Sequence, residues 1–196
     1  TTTNEALEVD EITYSFPVGD NITVMVGDNM DASALFTTSC VYGTPSDTLD
    51  ACGNVNAAVD NGGVMAGAAY DFGNGLTAAV GWAGDENDVA NEEGTDAYGF
   101  NVAYTTDTFG VSATLGSTED GIAADNQNTD TFLALNAYYD PEAGGLPSLS
   151  VGYEIGEDAS VVGDNDALSN FFVGLAWDEV GPGELGVAMG TRVNTV

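Results

Sequence analysis

Apolar side chains recur at every second position in a series of short runs along this chain. In "AYGFNVAYTTDTFGVSATLG" (Ala97–Gly116), Tyr98, Phe100, Val102 and Tyr104 share one parity, and Phe109, Val111, Ala113 and Leu115 share one parity beyond the turn. Gly99, Asn101, Ala103, Gly110, Ser112 and Thr114 stand between them. Period-two alternation reads as strand, with one face oily and the other small or polar. The same pattern predicts strand pairs at 11–17 with 22–28, 64–72 with 76–84, 97–105 with 109–117, 131–139 with 148–156, and 170–178 with 184–191. Their turns, "VGDN", "GNG", "TTDT", "DPEAGGLPS" and "EVGPG", are rich in the residues hairpins require. Helical periodicity is absent. The reading is an all-β antiparallel meander with alternately short and long connections, the longest being 28–63.

The oily face has a layout of its own. Tyr14, Phe16, Tyr70, Phe72, Tyr104, Phe109, Tyr139 and Trp177 lie near the short turns, whereas Trp82, Tyr98, Tyr153 and Phe171 lie towards the long loops. Small aliphatic residues fill the middle. Two aromatic belts around an aliphatic band are what a bilayer selects, because amphipathic rings favour the headgroup level. A tilted strand of about nine residues spans roughly 25 Å, close to the apolar band of an outer-membrane barrel. The expected cover of the oily face is therefore lipid. The other face, with Thr13, Gly67, Gly99, Asn101, Thr114, Asn136, Ser150, Gly152 and Gly174, is small or polar and almost uncharged. A soluble β-sandwich also alternates, but its exterior usually carries charge for solubility. In lipid every backbone group must be paired, so the hairpins are expected to close into an up-and-down transmembrane β-barrel.

Charge sharpens this picture. The 196 residues include 32 acids and a single Lys or Arg (Arg192), with no His, for a formal net charge of −31. Nucleic acid is excluded as a partner, since nothing neutralises phosphates. A salt-adapted surface, a divalent-cation binder and a cation-attracting channel all remain. Without Lys or His, no Ser-His or Cys-His nucleophile pair can exist, and no carboxylate pair stands out for acid–base work, so no enzyme and no cofactor are expected. No apolar run approaches the about 18 residues of a membrane helix. "TTTNEALEVDE" at the start has no signal-like leader, which reads as a mature, trimmed or incomplete chain.

Cys40 and Cys52 share the polar loop "SCVYGTPSDTLDACGN". An even pair there suggests a disulfide and an oxidising compartment, against two free thiols by chance. Closing so short a loop would contribute about 2–3 kcal/mol.

"NFFVGLAWDEVGPGELGVAMGTR" (Asn170–Arg192), "LPSLSVGYE" (Leu146–Glu154) and the cysteine-bearing "SCVYGTPSDTLDACGNVNAAV" are similar to segments of cyanobacterial outer-membrane porins. That group is often labelled iron uptake porins and is related to carbohydrate-selective porins. The resemblance runs through most of the chain from Ile12 onward, and its motifs are hairpins, not site signatures. It implies a barrel of about sixteen strands, an integral outer-membrane location, small inorganic ions (iron among the candidates) and carbohydrate as permeants, and a homotrimer. It also implies an S-layer-homology region that contacts peptidoglycan. No such region precedes Thr1, so peptidoglycan contact would come only through a part absent here. The chain reads as a single partial barrel over 1–196, the middle of a longer protein.

The candidate sites follow from parity and loop composition. Asn101, Asn136 and Glu154 are expected to line the pore, with Asp71 and Asp178 near its short-turn end. A one-residue bulge would turn any of them outward. "DENDVANEEGTD" and "GDNDALSN" offer Asp85, Glu86, Asp88, Asp164 and Asp166 as weak cation ligands without EF-hand spacing. Loop 28–63 carries Leu35, Phe36, Val41, Leu49 and Val55, enough for a small core of its own. It either enters the barrel and narrows the pore or lies ordered on the outer surface. The functional expectation is a cation-preferring porin passing small hydrophilic solutes and ions. The alternatives are a secreted, acidic soluble β-sandwich with a Ca²⁺-binding or adhesive role, or a barrel that only displays its loops.

Overall fold

The computed structural model describes residues 11–43, 49, 51–59, 63–84, 95–120, 128–141, 145–157 and 167–193. These include ten strands: β1 (Ile12–Val18), β2 (Ile22–Met30), β3 (Gly63–Gly73), β4 (Leu76–Gly84), β5 (Asp96–Thr105), β6 (Phe109–Asp120), β7 (Asn128–Tyr139), β8 (Ser148–Glu157), β9 (Ala167–Val180) and β10 (Gly183–Gly190). They form one antiparallel up-and-down sheet in chain order. No helix and no second sheet occur among the described residues, and the sheet is not closed, β1 and β10 being its edges. The two-sheet sandwich therefore has no counterpart in these strands.

All five predicted hairpins are present, with longer strands on the long-loop side. β6 runs to Asp120 and β7 starts at Asn128, the two pairing through Asp120↔Asn128, and β9 starts at Ala167 opposite Glu157. These extensions are ladder continued through polar residues, where alternation of apolar side chains gives no signal. The β3–β4 turn shows why "GNG" stands there. Gly73 faces Leu76, and the two residues between them, Asn74 and Gly75, have φ of 55° and 84°. Positive φ at both central positions is the type I′ hairpin geometry, which matches strand twist and which Asn-Gly adopts at least cost.

Register confirms the parity of both faces. Val80 pairs with Phe100, Phe100 with Leu115, Leu115 with Leu133, and Leu133 with Ile155, an unbroken apolar row across β4 to β8. Trp82 lies opposite Tyr98, Phe109 opposite Tyr139, and Tyr153 opposite Phe171. Tyr70 and Phe72 make an edge contact with centroids 4.6 Å apart, and Tyr104 and Phe109 a tilted one at 5.8 Å. Phe100 sits within the band that parity reserves for aliphatic residues. The large side chains of this face are open: Val80 and Val111 are each 50% exposed, Val151 36% and Val187 55%.

The opposite face is the buried one over β4 to β9. The described residues 31–43 and 51–59, which follow Met30 at the end of β2, lie across it over β4 to β9. Ala32 and Val59 pack with Met65, Ala83 and Ala97, with Met25 and Met30 alongside. Ala57 packs with Phe132 and Ala134, with Leu168 alongside. The core of the molecule thus lies between a loop and the glycine-rich side of a sheet. Burying apolar surface there contributes about 25 cal/mol per Å² removed from water.

Candidate functional site

The docked segment and the strand residues beneath it form the candidate site. Its first arm is extended and crosses the strands. Asn101 on β5 accepts from the N–H of Thr37 at 3.0 Å and donates to the Thr37 carbonyl at 3.2 Å, while its amide also reaches Thr114 Oγ1 at 2.8 Å. Ser112 Oγ on β6 accepts from the N–H of Ser39 at 2.8 Å. Ser150 Oγ on β8 accepts from Val41 and Tyr42 N–H at 3.0 and 3.1 Å. An extended chain rises about 3.3 Å per residue, so Thr37 to Val41 covers about 13 Å, and three strand spacings from β5 to β8 cover about 14 Å. The match explains why polar side chains on β5, β6 and β8 meet the amides of an arm running across them.

The second arm returns over β7, β8 and β9. Asn136 donates to the carbonyl of Cys52 at 2.7 Å, while its buried Oδ1 has no partner among the described residues. Glu154, 0% exposed, takes five bonds. Its Oε2 accepts from the consecutive N–H groups of Val55, Asn56 and Ala57 at 2.9, 2.8 and 2.8 Å. Its Oε1 accepts from the side-chain amides of Asn56 and Asn170, each at 2.9 Å. Asn170 also binds Val193, accepting from its N–H at 2.8 Å and donating to its carbonyl at 3.0 Å. The stretch after β10 thereby joins the same cluster. Cys40 and Cys52 are disulfide-bonded and tie the two arms, and Asn54 adds a bond to Thr38 Oγ1 at 3.3 Å.

Glycines make this contact possible. A Cβ at Gly81 would fall on the carbonyl oxygen of Ala32, and one at Gly152 on that of Cys52. At Gly116 it would stand 2.7 Å from the Ala57 oxygen, and at Gly99 2.6 Å from the Phe36 ring. Glycine inside a strand marks close approach of another backbone. The glycine-rich face is small because a loop backbone rests on it.

Of the residues expected to line a pore, Asn101, Asn136 and Glu154 share the glycine-rich face and are buried under the segment. Their polar groups are turned to the loop backbone. Asp71 and Asp178 are not gathered with them: both are exposed, at the short-turn end. Asp71 Oδ1 accepts from the N–H of Gly73 at 2.8 Å, and Asp178 lies where the β9–β10 register shifts. The weak cation candidates Asp85, Glu86, Asp88, Asp164 and Asp166 lie outside the described residues. Among those described, no group of three or more His, Cys, Asp or Glu is placed to hold a metal. Parity reading passed over Asn54, Asn56 and Asn170, and also Phe172, which is buried with its ring against Tyr42 at 5.3 Å. The glycines on the polar parity of β4, β5, β6, β8 and β9 (Gly81, Gly99, Gly116, Gly152 and Gly174) were the available signal for a docked backbone. No known family model matches the chain, and no curated protein matches it.

Proposed function

We propose that this chain forms part of the wall of an outer-membrane β-barrel porin, with segment 31–59 narrowing the lumen. One observation carries the reading: the sheet is inside out for a protein in water. Over β4 to β9 its polar face is buried and largely hydrogen-bonded, while Val80, Phe100, Leu115, Leu133 and Ile155 form an exposed apolar row. A contiguous apolar surface of this extent is disfavoured in water and favoured in hydrocarbon. In lipid the edges β1 and β10 must also be paired, which asks for further strands or closure. The resemblance to cyanobacterial porins points the same way and adds small inorganic ions, sugars and a trimer to the proposal.

Passage is by passive diffusion through whatever lumen the docked segment leaves. Arg192 is the one basic side chain, and the long loops are rich in acid, so the mouth concentrates cations. The test is the reversal potential of the complete protein across a planar bilayer under a salt gradient. Cation preference is expected, and anion preference would refute the charge argument. Extraction separates the reading from a brine-soluble protein, since a lipid-facing sheet needs detergent. A second reading has an observation of its own: the segment covers the glycine-rich face from β4 to β9, which suits a closed barrel displaying its loops. A membrane-inserted protein with no conductance would favour that reading.

A further inference from the structure

We infer that Glu154 is the positioning residue that clamps segment 31–59 to the sheet, and that the width of the proposed pore depends on it; the second part rests on the porin reading. Three consecutive backbone N–H groups, from Val55, Asn56 and Ala57, converge on one carboxylate oxygen of Glu154. Successive N–H groups turned to one point make an anion-binding concavity. Here the sheet itself supplies the anion. The second oxygen is taken by the amides of Asn56 and Asn170, so the loop and β9 both meet on Glu154 of β8, and the same two amides donate to the Val193 carbonyl after β10.

The other contacts of the segment are weaker in kind. Asn101, Ser112, Ser150 and Asn136 offer neutral groups, each to one or two residues of the arms. Hydrogen bonds to an ionised acceptor are about twice as strong as neutral ones. Position matters as well. The Cys40–Cys52 bridge closes the tip of the segment, whereas Val55–Ala57 lie beyond it, so the disulfide does not duplicate the clamp. With its oxygens occupied by N–H donors, Glu154 serves the loop and is not offered to a passing cation.

The experiment compares the wild-type chain with Glu154→Gln and Glu154→Ala in bilayers, by conductance and by amide exchange at 55–57. Gln keeps the volume but turns one acceptor into a donor facing other donors. Exchange at 55–57 is expected to rise at least tenfold, with β4 to β9 still protected, and conductance to rise with it. Formate, which fits the vacated concavity, should slow exchange again in Glu154→Ala, whereas chloride at equal ionic strength should not. If Glu154→Gln does not assemble, Asn56→Ala tests the clamp from the loop side. Exchange within twofold of wild type, or a rise spread evenly through the strands, overturns the clamp whatever the conductance. Raised exchange with unchanged conductance in a conducting protein overturns the dependence of pore width. Raised exchange with no conductance in any variant leaves the clamp standing and sinks the porin reading instead.

Discussion

Gly81→Ala and Gly152→Ala test the docking directly, because each adds one carbon where a loop carbonyl already sits. The obstruction is backbone on both sides, the Ala32 carbonyl at Gly81 and the Cys52 carbonyl at Gly152, so no side chain can swing away. Overpacking of this kind costs about 1–3 kcal/mol. Ala in place of Gly also restricts the unfolded chain, which returns about 0.4–1 kcal/mol. The net loss is then about 1–2 kcal/mol per site, or about 2–8 °C in Tm for a chain of this length. Gly183→Ala is the control, since nothing lies within 4 Å of its added carbon. It should leave Tm unchanged or slightly raised. The double variant is more telling. β4 and β8 are four strand spacings apart, about 19 Å, a separation at which effects normally add. Both sites press on the same segment, so lifting it at one relieves the other, and the double loss should fall short of the sum. The assay is thermal unfolding in detergent micelles, followed by circular dichroism and by Trp82 and Trp177 fluorescence. If Gly81→Ala melts within 1 °C of Gly183→Ala, or the two losses add fully, the segment does not dock as a unit.

Leu135→Arg places a charge on the exposed apolar face; in a bilayer it should cost about 2–4 kcal/mol, and in a water-soluble protein almost nothing, as read by urea midpoints in lipid and in brine. Asn101→Leu leaves the Thr37 N–H and carbonyl without their partner, so a loss of about 1–3 kcal/mol is expected in the same urea titration. Replacing Cys40 and Cys52 together by Ser should cost about 2–3 kcal/mol through the freed loop tip. Amide exchange at Ser39 and Ala57 should nevertheless stay slow, because Ser112 and Glu154 hold those residues independently of the bridge. Fast exchange at both would make the disulfide, and not the sheet contacts, the anchor.

Alternation together with the turn residues was enough to place the ten strands and the two faces, short of the polar extensions of β6, β7 and β9. Side-chain parity is a local property of extended backbone, and the pattern of Tyr98, Phe100, Val102 and Tyr104 contains it entirely. The disulfide was legible for a similar reason, as two cysteines in one loop. The role of Asn101, Asn136 and Glu154 was only half legible: parity put them on the right face, but nothing local says what covers it. Their partners lie 64, 84 and 97 to 99 residues away in the chain, at Thr37, Cys52 and Val55–Ala57. Only the register of neighbouring strands brings Asn101, Ser112 and Ser150 to the spacing of an extended arm, and only the meeting of β8 with β9 sets Glu154 beside Asn170. So the sequence determined a sheet with one oily and one glycine-rich side. The tertiary structure decided that the glycine-rich side is the dry one, because close approach of a loop backbone and its hydrogen bonds depends on distances that no short stretch of chain encodes.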